Sequence, residues 1–144
     1  MENKKFGIGN IRYFFRARYR TVYRTVKNKK GSNKDYLKYK EQALILVRNR
    51  IEYFNKFYNY KWNNIVIRNQ KTRWGSCSKK GNLNFNYKIA LLKEEEYDYI
   101  IVHELCHLGE FNHSRNFWNL VAITIPNYRE IRSNLKNSGL NINK

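Results

Sequence analysis

A chain of 144 residues with 42% hydrophobic content is long enough for one domain with a core, and too apolar for a disordered segment. The longest apolar runs, Ala43 to Val47 and Tyr99 to Val102, fall far short of the roughly 20 residues of a membrane span. Met1 to Gly7 lacks the apolar core of a signal peptide, so a cytoplasmic protein is expected. The net charge of +18 is uneven: residues 1 to 40 carry 13 Lys/Arg against 2 Asp/Glu, residues 41 to 90 carry 10 against 2, and residues 91 to 144 carry 6 against 7. Two basic thirds stand beside a nearly neutral one, a distribution suited to a polyanionic partner such as nucleic acid. A bias towards Lys, Asn, Ile and Tyr, with 21 asparagines, explains the same charge equally well. Cys77 and Cys106 are too few for a disulfide framework and read as small buried thiols.

In chain order, residues 1–34 form a basic N-terminal arm and residues 35–144 the body. Within the arm, residues 11 to 26 place aromatic and β-branched residues at odd positions, as a strand would. Arg12, Arg16, Arg20 and Arg24 would instead make one stripe along a helix, and both readings stand. Interleaved Arg and Tyr also suits a platform for single-stranded nucleic acid. Lys27 to Lys34, with Gly31 and Ser32, reads as a linker. A helix is predicted from Asp35, with Leu37, Leu44, Val47, Ile51, Phe54 and Tyr58 on its buried face. Asn63-Asn64 breaks it, and Ile65 to Ile67 is a short strand. Arg73 to Ser78 and Asn82 to Ile89 then flank a turn at Gly81, giving a hairpin whose second strand buries Leu83, Phe85, Tyr87 and Ile89 and exposes Asn82, Asn84, Asn86 and Lys88. An exposed strand of this kind can hold an extended peptide by strand addition.

Glu94-Glu95-Glu96 suits the start of a helix, with Tyr97, Ile101, Leu105 and Leu108 as its buried stripe. If residues 97 to 108 are helical, His103 and His107 lie about 6 Å apart along the axis and about 40° apart around it, so both imidazoles can close on one ion. Glu104, one residue round from the pair, can reach a water on that ion without binding it. This H-E-x-x-H pattern is that of zinc hydrolases: neutral imidazoles bind Zn²⁺, the ion acidifies a water, and the carboxylate takes the proton. All three histidines of the chain fall between positions 103 and 113. Gly109 is placed to end the helix and turn the chain back, which favours His113 as the third ligand, with Glu110 as its rival. Ser114 can cap a helix reaching Ile123, and Pro126 starts a last one carrying Tyr128, Ile131 and Leu135. Trp118 and Tyr128 are expected beneath the histidine helix, with Tyr128 a candidate oxyanion donor.

Arg73-Trp74-Gly75-Ser76-Cys77, His103-Glu104-Leu105-Cys106-His107-Leu108, Asn112-His113-Ser114, Phe117-Trp118 and Ile125-Pro126-Asn127-Tyr128 together resemble the YgjP-like metallopeptidase family, which is similar to the SprT-like and Wss-type zinc proteases. The resemblance runs from about Trp62 to Leu135. It implies a small zincin-like α+β domain, with a β-hairpin or sheet packed on the metal-site helix. It also implies zinc on His103, His107 and His113, Glu104 as general base, and Arg73, Trp74, Gly75, Ser76, Cys77 and Ser78 near the substrate cleft. The expected activity is a zinc-dependent metallopeptidase acting on protein or peptide, in one version near nucleic acid. Two readings compete with it: a zinc-dependent hydrolase of nucleotides or other phosphates, and a nucleic-acid-binding module with structural zinc. The last needs a fourth protein ligand, for which Cys77 is the available source.

Overall fold

The computed structural model describes residues 33–136, so the Arg/Tyr segment at 11 to 26 lies outside the described residues. The elements run α1 (Asn33–Tyr58), β1 (Asn64–Arg68), β2 (Gly75–Cys77), β3 (Asn82–Asn86), a 3₁₀ turn (Tyr87–Leu91), α2 (Glu94–Cys106), α3 (Arg115–Thr124) and α4 (Tyr128–Lys136). This is the expected α+β class. None of these helices is long and apolar enough to cross a membrane.

α1 begins at Asn33, so the last two residues of the expected linker are helical. It buries Ala43, Val47, Ile51 and Phe54, but Leu37 is 74% exposed. A repeat of seven drifts by about 20° per heptad in a straight helix, which carries Leu37 off the face shared by Val47 and Phe54. The helix ends on Asn59 in the left-handed region (φ 54°), the conformation asparagine tolerates best after glycine. Asn55 then clamps the chain's exit, donating from Nδ2 to the Tyr60 carbonyl (2.9 Å) and accepting from the Tyr60 N–H (2.8 Å).

The hairpin forms as expected, with Gly81 at φ 74° in its turn and β2 antiparallel to β3. β1 lies on the other side of β3 and parallel to it, so the order is β1-β3-β2 and β2 is an edge strand. The second hairpin strand is shorter than its alternation suggests. It stops at Asn86, and Tyr87 and Ile89 enter the 3₁₀ turn while staying buried. Asn86, expected on the exposed face, is fully buried. Its Oδ1 accepts from the Lys88 N–H (3.1 Å), and its Nδ2 donates to the carbonyls of Gln70 (2.7 Å) and Arg73 (3.2 Å). One side chain thus both starts the 3₁₀ turn and pins the loop that leads into β2, a local side-chain bond that competes with the strand ladder.

α2 opens at Glu94, where the Lys93 N–H donates to the Glu96 carboxylate (3.0 Å), and closes at Cys106, two residues before Leu108. It is buried nearly all round from Asp98 to Cys106, which marks a core helix rather than a one-striped surface helix. Arg50 of α1 holds it in place: Nε donates to Asp98 Oδ1 (2.7 Å) while a terminal guanidinium nitrogen bonds Oδ2. Burial pushes the Asp98 carboxyl up to about 6 against the pull of Arg50, so the pair is fully charged only above that pH. The Ser114 hydroxyl accepts from the Phe117 N–H (3.3 Å), capping α3 as predicted. α4 starts at Tyr128, two residues after Pro126.

Candidate metal centre

α2 carries His103 and His107 four residues apart, and the turn between α2 and α3 carries His113. His107 Nε2 lies 3.2 Å from His103 Nε2, and His113 Nε2 lies 3.1 Å from it. Among the described residues these three form a cluster whose ligand atoms all lie within 4.8 Å of one another. Two ligands on a tetrahedral ion with bonds of roughly 2.0–2.1 Å sit about 3.3 Å apart, and the separations of His103 from His107 and from His113 match that value. Burial is the leading cause holding all three imidazoles below their usual 6.5, with His103 lowered furthest, and this favours the neutral form a metal needs.

The turn solves the third-ligand question in an unexpected way. His107 Nδ1 pairs with the Glu110 backbone carbonyl (3.0 Å), so the rival residue orients a histidine through its main chain, and its carboxylate is not in the cluster. With Nδ1 as the donor, Nε2 keeps its lone pair for a metal. Gly109 follows the helix end as expected, without a left-handed φ, and a Cβ there would run into the Tyr60 hydroxyl, so its bareness also admits Tyr60. The Gly109 and Glu110 N–H groups both donate to the Cys106 carbonyl (3.0 Å each), closing the helix end.

His103 is completely buried, with Tyr99 edge-on at 5.8 Å and Phe117 at 4.9 Å between ring centroids. His113 is exposed but braced: its ring stacks on Trp118 at 5.6 Å, and Trp118 stacks on Tyr128 at 5.0 Å. Tyr128 is therefore a packing partner of the third histidine's support, and its hydroxyl accepts from Arg129 Nε (3.3 Å).

Glu104 is 2% exposed. Its carboxyl is pushed up to about 8 by burial, with Arg73 pulling the other way. A Cβ on Gly75 would meet Glu104 Cγ and Oε1 at 2.7 Å, so β2 can lie against the carboxylate only because that residue has no side chain. The neighbouring residues divide by role. Trp74 is a core residue, and its carbonyl accepts from the Asn86 N–H (2.7 Å). Ser76 Oγ accepts from Asn84 Nδ2 (3.4 Å). Ser78 closes the hairpin turn, its carbonyl accepting from the Gly81 N–H (2.8 Å). Arg73 is half-buried. Cys77 is outside the histidine cluster; its Sγ faces the Ser78 carbonyl at 3.6 Å and burial pushes its thiol up to about 12. Among the described residues, the fourth ligand that a structural zinc site would require is thus not gathered with the histidines. Sequence reasoning missed the Gly75 seat, the Asn86 pin and the Trp118 brace, each of which depends on residues distant in the chain.

The sequence pattern of the family described as YgjP-like, metallopeptidase domain, matches residues 11–138, beginning well before Trp62. Among solved structures, the metallopeptidase zymogen abylysin of Pyrococcus abyssi is similar, with a TM-score of 0.62 and 28% identity over 67% of this chain and 98% of that one. Comparison with curated protein sequences finds no significant match. Both matches concern peptidases, and neither supports a nucleic-acid role.

Proposed function

The chain belongs to the YgjP-like metallopeptidase family, and on that premise we propose a zinc-dependent peptidase in which His103, His107 and His113 hold the metal and Glu104 is the general base. The gathering of three imidazoles, with His103 Nε2 3.2 Å from that of His107 and 3.1 Å from that of His113, one residue from a buried carboxyl, carries this reading. Zinc, when bound, supplies Lewis-acid polarisation of a carbonyl and acidification of water. The chain's own residues do the rest. Glu104, ionised, takes the proton of the attacking water and delivers it to the leaving amine. Gly75 leaves the carboxylate its place.

Among the described residues the outer edge of β2 pairs with no other strand and offers main-chain groups beside Glu104, so an extended stretch of protein or peptide can add to the sheet there with little demand on its side chains. In this reading Gly75, Ser76 and Cys77 contact substrate through their backbones, and Arg73 borders the site. Trp74 and Ser78 support the strand from the core and the turn.

The test is Glu104→Gln assayed on an unfolded protein with zinc supplied. Cleavage should fall by about 10²- to 10⁴-fold while bound zinc stays at the wild-type level. Undiminished turnover in that variant would remove Glu104 from the chemistry, and wild-type turnover surviving complete chelation would remove the metal.

A further inference from the structure

Three buried polar atoms around His103 have no hydrogen-bond partner among the described residues: its own Nδ1, the Tyr99 hydroxyl and Arg132 Nε. Tyr99 and His103 are four residues apart on α2, with their rings edge-on at 5.8 Å. Arg132 arrives from α4 and lays its guanidinium 4.9 Å from the centre of the Trp118 ring. Its charge reaches Tyr99, His103 and His113. Among the described residues the ion pairs are those of Arg50, and no carboxylate neutralises Arg132. A cation beside imidazoles that gather a metal ion repels that ion, so its presence calls for a compensating use.

The donors and acceptors suggest that use. His103 turns Nε2 towards the other two histidines, so in the metal-binding tautomer its proton sits on Nδ1. Arg132 Nε–H is likewise a donor only, whereas the Tyr99 hydroxyl can also accept. No direct bond joins any two of the three atoms. A single water that accepts from both N–H groups and donates to the hydroxyl satisfies all of them.

We propose that an ordered water links His103 Nδ1, Arg132 Nε and Tyr99 Oη, making Arg132 and Tyr99 the positioning residues of His103. The proposal rests on the reading that the three histidines hold a metal. It gives His103 the orienting bond that His107 receives from Glu110, fixing the ring and its tautomer from behind.

Zinc affinity, measured by competition with a chromophoric chelator near neutral pH, tests it alongside the melting temperature of each metal-free variant. Arg132→Met and Arg132→Lys should each weaken zinc binding by about 10- to 100-fold. Tyr99→Phe, which removes one bond, should weaken it by about 5-fold. Combining Tyr99→Phe with Arg132→Met should cost less than the product of the two, because they share one water. Arg132→Lys keeps a charge at that position without the Nε–H, so it separates the two roles even if the methionine variant folds poorly. Tighter zinc binding by Arg132→Met with Arg132→Lys unchanged would overturn the proposal, because Arg132 would then act only as a repelling charge. Lower melting temperatures with unchanged zinc affinity would also overturn it, reducing the cluster to packing. None of these readouts involves turnover, so the proposal stands or falls separately from the peptidase assay; a wild-type chain that binds no zinc would remove the metal site itself.

Discussion

His103 and His113 serve one cluster from opposite kinds of structure. His103 sits mid-core on a helix buried nearly all round, walled by Tyr99 and Phe117. His113 is exposed on a turn and is held by stacking on Trp118, which Tyr128 supports in turn. The buried half is determined by packing that would exist without any metal. The exposed half depends on a short stack of rings and on a turn closed by Gly109 and Glu110. Core packing thus sets where the site is, and the surface turn completes its ligand set.

That division can be strained first at the buried base. Gly75→Ala places a Cβ 2.7 Å from Glu104 Cγ and Oε1, inside a core that cannot readily yield. A displaced carboxylate should lower cleavage by about 100-fold with zinc content unchanged. Full turnover in that variant would show that the glycine seat is dispensable. The second test uses Glu104 without its metal. Its carboxyl sits at about 8 in the fold against 4.5 as the ordinary value, so between those pH values the native state binds more protons than the unfolded chain. Glu104's own contribution to stability in chelator therefore falls as pH rises through that window, and Glu104→Gln removes that contribution. The variant should be the more stable protein by a margin that grows with pH, on the order of 3 kcal/mol near neutrality. Urea melts at several pH values would read it, and a pH-independent margin would contradict it.

The smallest effect separates the two histidines directly. Both His103→Ala and His113→Ala should lose zinc binding. In the metal-free protein His103→Ala should cost about 2 kcal/mol for the cavity it opens, whereas His113→Ala should stay within about 0.5 kcal/mol. Equal costs would mean that the turn is as much a part of the core as the helix.

The histidine cluster was readable in the sequence because its signals are local. His103 and His107 share a helix face by spacing alone, and Ser114 marks the next helix start. The helix ends also read nearly correctly, since caps and breakers act within a few residues. Asn86 was not readable. In an alternating strand it belongs on the solvent side, and only the carbonyls of Gln70 and Arg73, 16 and 13 residues back, make its burial sensible. Gly109 was legible as a helix end, but the room it makes for Tyr60, from beyond the end of α1, was not.

By itself, then, the sequence determined the chemistry available to this protein, because donor type and helical spacing are properties of a few neighbouring residues. Tertiary structure decided how that chemistry is held. The parallel pairing of β1 with β3 leaves β2 at the edge of the sheet, and the contact of Gly75 with Glu104 sets that edge against the carboxylate. The stack from His113 through Trp118 to Tyr128 joins the end of one helix to the start of another. These contacts join residues from 5 to 29 positions apart, and no local periodicity specifies which of the many possible partners a buried group will meet.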